Sequence, residues 1–407
     1  MSRATDAVAL SGQSALKGIG TGIGTGLDRG FGAIRSFFGG MPKPVKIVLL
    51  VLGVLLAYAL PLLDLPIIPT TGSDFGGVLF TAASYALIAV GLNIVIGYAG
   101  LLDLGYVGFY ATGAYTVGIL TQYHWHWPFL LALPMAILVT MVFGVLLGAP
   151  TLRVRGDYLA IVTLGFGEII RLVIHNTGWL GAASGISQIP PPPSIGPNPP
   201  GPDGGLFSIP HLSWGTFPNI IDVGHETHFL KFGVLDAIPY YWLMLTALAV
   251  VLVADKLIKD SRVGRAWEAT REDEDAAEIM GVPTFRYKLL AFALGACIGG
   301  LSGGIYAARN GFVSPDTFVI ILSELFVAAV IIGGAGNRWG AIAGAIVVAY
   351  LPERFRGFSD WRMLVFGLAM MALAIWRPQG IFPPRRTRRA LAAEAEIEEL
   401  EGETVDV

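Results

Sequence analysis

The stretch WPFLLALPMAILVTMVFGVLLGA, residues 127–149, decides the fold because none of its side chains is charged. At a rise of about 1.5 Å per residue, a helix of this length crosses the roughly 30 Å hydrocarbon core of a bilayer. Similar apolar blocks recur along the 407-residue chain, which is 54% hydrophobic and only 14% charged. Soluble domains carry about 25% charged residues, so the composition predicts an all-α polytopic protein whose solvent is the lipid bilayer.

Outward from that stretch, about ten transmembrane helices are predicted, some of them broken by glycine or re-entrant. Their approximate bounds are residues 45–63, 75–98, 102–122, 127–149, 157–175, 239–255, 287–307, 317–334, 339–352 and 360–376. The segments that flank residues 333–340 are the least regular, since short glycine-interrupted segments either span or re-enter a membrane.

The distribution of basic residues predicts the orientation. Residues 176–238 contain a single basic residue, Lys231, whereas seven lie between Lys256 and Lys288. Four arginines also lie close together at positions 385, 386, 388 and 389. Loops rich in Lys and Arg stay in the cytoplasm. Both termini and residues 255–287 are therefore predicted to be cytoplasmic, and residues 176–238 extracytoplasmic.

Three regions follow from this orientation. Residues 1–44 form a cytoplasmic glycine-rich leader, residues 45–376 the transmembrane domain, and residues 377–407 a cytoplasmic tail. Within the domain, residues 176–238 form an outer loop whose consecutive prolines at 190–193 favour an extended chain over a packed domain. Residues 255–287 form a charged cytoplasmic loop.

Two glycine-rich interruptions resemble each other. The first break reads Gly97-Tyr98-Ala99-Gly100 and the second break reads Gly333-Gly334-Ala335-Gly336. Broken helices in transporters expose backbone dipoles and line the translocation path, although glycines also serve simply to pack helices closely. The candidate path residues are Asn93, Gly97, Gly100, Asp103, Glu324, Gly333, Gly334, Gly336 and Asn337.

Charged groups within predicted spans support this set. An ionised side chain is costly in hydrocarbon unless it faces protein or water. Glu168 and Arg171 lie three residues apart, a spacing at which they neutralise each other on one helix face. Glu324 has no nearby positive residue in its predicted span, which makes it the stronger functional candidate.

The cytoplasmic loop contains a predicted amphipathic helix, residues 265–280, which Gly281 and Pro283 end. Helical spacing puts its alanines broadly on one side, where a partner could contact them, although a solvated connector would show the same pattern. The candidate docking residues are Arg265, Glu268, Ala269, Arg271, Glu272, Asp273, Asp275, Ala276, Ala277, Met280 and Gly281.

Several function classes are disfavoured by the sequence. It contains no phosphate-binding loop of the form Gly-x-x-x-x-Gly-Lys-Ser/Thr, so the chain does not bind ATP in the usual way. It contains neither a Gly-x-Ser-x-Gly elbow nor a His-Glu-x-x-His helix. We therefore expect no enzymatic activity, no metal site, no cofactor and no nucleic-acid partner.

Residues 81–383 resemble the permease subunits of branched-chain amino acid ABC transporters, the LivM type. The resemblance rests on Gly91-Leu92-Asn93 running into Gly97-Tyr98-Ala99-Gly100, Phe109 with Gly113-Ala114-Tyr115, Arg155-Gly156-Asp157-Tyr158, Thr163-Leu164-Gly165 with Glu168-Ile169, Ser261-Arg262-Val263-Gly264-Arg265-Ala266, Arg271-Glu272-Asp273-Glu274-Asp275-Ala276-Ala277, and Arg377-Pro378-Gln379-Gly380. Where that family commonly has Ser and Pro in the second glycine motif, this chain has Asn337 and Ala341.

The resemblance implies a multi-pass permease of the bacterial cytoplasmic membrane that carries leucine, isoleucine, valine or related amino acids. It also implies a second related permease, cytoplasmic ATPase subunits and an extracytoplasmic substrate-binding protein as partners. Urea or a short amide is an alternative substrate within the same family. Two further classes stay open: an ion-coupled secondary transporter that uses Glu324 or Asp103, and a receptor or scaffold whose cytoplasmic helix binds a signalling protein.

Overall fold

The computed structural model describes residues 43–62, 75–123, 125–152, 157–193, 208–214, 221–228, 232–233, 236–354, 364, 367–368, 371 and 380–382. Nearly all of the predicted leader, most of the last predicted span and nearly all of the predicted tail lie outside these residues.

Helices dominate the described residues. They are α1 (Lys43–Ala59), α2 (Phe75–Leu92), α3 (Tyr106–Gly118), α4 (Phe129–Thr151), α5 (Asp157–Asn176), α6 (Ala237–Lys259), α7 (Arg262–Glu272), α8 (Glu274–Ile279), α9 (Thr284–Asn310), α10 (Ile320–Gly333) and α11 (Arg338–Arg354). Two of them continue as π-helical segments, α2 through Asn93–Tyr98 and α3 through Ile119–Tyr123. The prediction of a helical, multi-pass membrane protein is confirmed.

The number of spans is not confirmed as ten. Six helical segments in the described residues are long and apolar enough to cross a membrane. They are Phe75–Tyr98, Phe129–Thr151, Tyr158–Asn176, Ala237–Lys259, Thr284–Asn310 and Pro315–Gly333. Val51–Leu62 and Arg338–Pro352 are apolar but shorter. Helix α3, a predicted span, is 13 residues long and nearly all of its residues are buried, so protein rather than lipid surrounds it.

Close helix contacts build the core, in which α9 packs against α2, α3 and α4. A Cβ on Gly113 of α3 would lie 2.5 Å from the Cα of Gly300 on α9, and one on Gly303 would collide with the Tyr110 carbonyl. Glycine is therefore required for this approach, as small residues generally are between membrane helices. Glycines four residues apart along α9, among them Gly299 and Gly303, face α3 at this contact.

Residues 176–238, predicted to form an extended outer loop, contain strands where the structure describes them. Strand β1 (Ile186–Ser187) pairs antiparallel with β4 (Phe312–Val313), which directly follows α9. A second antiparallel pair joins β2 (Ser208–Trp214) to β3 (Ile221–His228). The described residues are thus α-helical with two small two-stranded sheets, because paired strands satisfy each other's backbone hydrogen bonds without needing a helix.

Candidate functional site

The two glycine breaks meet in the fold. Asn93 Oδ1, in the π-helical segment of α2, accepts a hydrogen bond of 2.8 Å from the backbone nitrogen of Gly336. A Cβ on Gly97 would lie 2.5 Å from the same nitrogen and would also collide with Asn93 Oδ1. The sequence predicted two similar interruptions, and the structure places them in direct contact, although 243 positions separate Asn93 from Gly336.

Glycine is needed at the first break for its backbone conformation. The chain leaves the π-helical segment after Tyr98, and Gly100 adopts a φ of +73°, which L side chains rarely adopt. Leu101 N still donates to the Val95 carbonyl at 3.0 Å. Short π-helical segments inside membrane helices often mark functional sites.

The second break is the tip of an antiparallel hairpin formed by α10 and α11. Gly334 and Gly336 have φ values of +108° and +94°. A Cβ on Gly333 would lie 2.5 Å from the carbonyl carbon of Gly340. Asn337 Nδ2 donates to the Phe382 carbonyl at 2.9 Å, so residues 380–382 fold back onto this tip.

A cluster of charged and polar side chains lies around the contact between the breaks. We call its members, Tyr98, Asp255, Lys259 and Arg338, the break cluster. Asp255 Oδ2 accepts from Tyr98 Oη at 3.2 Å and pairs with Arg338 Nη1 at 3.1 Å. Lys259 Nζ donates to the Gly336 carbonyl at 3.2 Å and lies 4.6 Å from the centre of the Tyr98 ring. The ends of α2, α6 and α11 are thereby held together.

Sequence reasoning missed this cluster. Asp255 and Lys259 lie where the predicted sixth span meets the charged loop, so they were counted as loop charges. The sequence signal that could have revealed the cluster is a carboxylate at the end of an apolar helix, since a buried charge needs a partner. In the structure only 1% of the Asp255 side chain is exposed.

Arg271 connects α7 to the first break. Its Nη1 donates a hydrogen bond to the Gly97 carbonyl. A Cβ on Gly100 would lie 2.8 Å from the Cγ of Arg271, so the arginine side chain lies against the glycine backbone. A residue predicted to contact a partner therefore also contacts a predicted path residue.

The predicted single helix over residues 265–280 is wrong. The chain forms α7 and α8 instead, and Asp273 between them is extended with a φ of −154°. Asp273 Oδ1 accepts from Ala276 N at 3.0 Å and so caps α8. Aspartate is a poor residue for a helix interior and a good N-cap, which explains the interruption.

The exposed surface of this helix pair also differs from the prediction. Ala266 and Ala277, expected on the docking side, are buried. Trp267 of α7 is buried against α9, and its Nε1 donates to the Tyr287 carbonyl at 2.7 Å. Ala269 is half-buried, whereas Arg265, Glu268, Glu272, Asp273, Asp275, Ala276 and Gly281 are exposed. The largest exposed apolar side chains are Ile279 and Met280, with 86% and 83% of their surface accessible. Ile279 was missed.

Helix α8 is fastened to the start of α9. Lys288 Nζ pairs with Glu274 Oε2 at 2.5 Å, and Thr284 Oγ1 donates to Glu278 Oε1 at 2.5 Å. Because α9 runs through the core, these two contacts connect α8 to the packed helices.

The sequence model of a family described as branched-chain amino acid transport system / permease component matches residues 75–374. The chain belongs to this permease family. The matched range contains both breaks, the break cluster and the helix pair α7–α8.

Relatives of the permease are found in enteric bacteria. The high-affinity branched-chain amino acid transport system permease protein LivM of Salmonella typhimurium is 42% identical over 310 residues, which cover 75% of this chain and 69% of the relative. LivM of Escherichia coli is 42% identical over 312 residues with the same coverage. LivH of Escherichia coli is 25% identical over 322 residues, 74% of this chain and 93% of the relative. No solved structure matches the chain.

Two predicted path residues of the permease lie away from the breaks. Asp103 is fully buried, and its Oδ1 accepts from Gly105 N at 2.9 Å at the beginning of α3. Glu324 is exposed on α10 and forms no ion pair within the described part of the chain. The expected neutralisation of Glu168 is confirmed, because Arg171 Nε donates to Glu168 Oε2 at 3.0 Å.

Proposed function

We propose that this permease is a membrane-spanning subunit of an ABC importer that carries leucine, isoleucine and valine across the bacterial cytoplasmic membrane. The family and the LivM relatives support the class and the substrate. The observation that carries the mechanism is the contact of Arg271 with Gly97, which joins a cytoplasmic helix to the first break.

The proposed transporter needs other chains. This sequence has no phosphate-binding loop, so separate cytoplasmic ATPase subunits supply the energy. A second related permease completes the path, and an extracytoplasmic binding protein delivers the amino acid. With both termini and residues 255–287 in the cytoplasm, α7 and α8 face the ATPase, and residues 176–238 face the binding protein.

The ATPase contact is proposed to centre on Ile279 and Met280. Two adjacent large apolar side chains exposed on a charged surface are typical of an anchor that fills a pocket of a partner. The exposed acids Glu272 and Asp275 surround them on the same helix pair, where complementary charge sets the register of docking.

Movement of the docked element is proposed to reach the path by two routes. One runs from α8 through Thr284 and Lys288 into α9. The other runs from α7 through Arg271 to the first break, which in turn contacts Gly336. The path residues of the two breaks would then move apart when the ATPase subunits separate, and move together when the ATPase subunits close.

Uptake of labelled leucine tests the proposal. A strain that lacks this chain should lose high-affinity leucine uptake and regain it when the gene is returned, with labelled urea taken up equally in both strains. Restored urea uptake without leucine uptake would assign a different substrate. Unchanged leucine uptake in the strain that lacks the chain would refute the transport role.

A further inference from the structure

Charged side chains are distributed unequally over the sides of the bundle. Helix α5 meets the chain just before α10, where Arg171 of α5 pairs with Asp316 at 3.7 Å, and α3 packs against both helices. We call their exposed surface the α5–α10 face. Its members include Ile161, Val162, Ile169, Leu172 and Val173 of α5 and Ile321, Glu324 and Ile331 of α10.

The charges on this face lie within helical segments that are long and apolar enough to cross a membrane. Glu324 is nine residues from either end of the span Pro315–Gly333, and Glu168 and Arg171 lie well within Tyr158–Asn176. The Glu168 and Arg171 side chains keep 30% and 23% of their surface accessible. An ionised group that faces lipid at this depth costs several kcal/mol, so these groups must face protein or water.

The remaining exposed surface is suited to lipid. Helix α4 has no charged residue in its 23 positions, and α6 has none between Ala237 and Ala254. The exposed side chains of α1, α4 and α6 are aliphatic at membrane depth, among them Val51, Leu55, Leu138, Val142, Val250 and Val253. The bundle therefore has one surface suited to contact with lipid and another whose charged groups need to face protein or water.

We infer that the α5–α10 face is the surface on which the second permease subunit seats. The inference rests on the proposed function, because that function requires a second membrane chain. The subunit would present a neutral polar or basic group opposite Glu324, which removes the carboxylate from hydrocarbon without burying it unpaired.

Glu324 also favours a different chain over a second copy of this one. A two-fold contact is isologous, so the same patch of both copies meets across the axis. Such a contact centred on α10 would bring two Glu324 carboxylates towards each other in a medium of low dielectric, where like charges repel strongly. A related but different chain avoids this repulsion.

Photo-crosslinking in the membranes of the organism that makes the transporter tests the inference. Benzoylphenylalanine replaces Ile321 or Ile169 on the α5–α10 face, and Leu138 or Val250 on the aliphatic surface as matched controls. All four side chains are more than half exposed. Mass spectrometry identifies each adduct, and leucine uptake is measured for every variant.

The expected result is adducts of Ile321 and Ile169 with a second, sequence-related permease, and adducts of Leu138 and Val250 with lipid only. Adducts between two copies of this chain would overturn the choice of partner. Lipid adducts alone at Ile321 and Ile169, or the same protein partner at all four positions, would overturn the surface. Intact leucine uptake in those variants would show that the proposed function stands while the surface is wrong.

Discussion

The Arg271 side chain donates a hydrogen bond to the Gly97 carbonyl, so helix α7 reaches the broken end of α2 without any intervening residue. A guanidinium that donates to a carbonyl forms a charge-assisted hydrogen bond, which is stronger than a neutral one. The first break is therefore directly connected to the helix pair α7–α8.

Replacing Arg271 should impair transport without detaching the ATPase. Loss of a charge-assisted hydrogen bond costs roughly 1.5 to 3 kcal/mol, so leucine uptake by Arg271→Ala is expected to fall about tenfold or more. Arg262→Ala is the control, because Arg262 is exposed on the same helix and is not among the predicted docking residues. Normal uptake by Arg271→Ala would refute the connection.

Polar replacement at the end of α8 should release the ATPase. Ile279 and Met280 are exposed in this chain, and burial of a large apolar side chain contributes about 1.5 to 3 kcal/mol. The double variant Ile279→Ser with Met280→Ser should therefore lose the ATPase during copurification while remaining in the membrane. Ile279→Leu with Met280→Leu keeps the apolar volume and should retain it. Retention by the serine variant would exclude this anchor.

A single methyl group at either break should disrupt the contact between them. A Cβ at position 97 would lie 2.5 Å from Gly336 N, and Gly336 has a φ of +94°, so Gly97→Ala and Gly336→Ala are expected to lose most leucine uptake. Gly53→Ala is the control, since a Cβ there meets nothing within 4 Å. The amount of protein is measured by immunoblot. Full transport by both break variants would show that close contact is unnecessary.

Replacing Arg338 alone should destabilise the protein more than replacing both Arg338 and Asp255. Asp255 is buried, so Arg338→Gln leaves its carboxylate short of a partner at a cost of about 3 kcal/mol. Combining Arg338→Gln with Asp255→Asn removes the buried charge and should recover part of the loss. Thermal unfolding of the purified protein in detergent measures both changes. Equal melting of wild type and Arg338→Gln would contradict a stabilising pair.

Local spacing allowed some features to be predicted correctly. The Glu168–Arg171 pair depends only on the three-residue spacing within one helix, and it is confirmed. The contact between Asn93 and Gly336 could not be predicted, because nothing in either segment states which distant segment it meets.

The cytoplasmic helix shows where local reasoning fails. Residues 265–280 have an amphipathic pattern, but Asp273 competes with the helix by capping its neighbour. Because the helix is broken at Asp273, the apolar sides of α7 and α8 point in different directions from those of one continuous helix. Ala277 then packs inwards, so a bulky residue there would test folding rather than docking.

The pairing of β1 with β4 fixes one end of α9. Val313, just beyond that end, pairs with Ile186, while the opposite end of the helix carries Thr284 and the attached α8. With 27 residues, α9 is about 40 Å long, so a displacement of Thr284 by about 2 Å would tilt it by only about 3°. We expect such a tilt to move the Thr284 end most and the end beside the strands least, so β1 and β4 should stay in place while α8 moves.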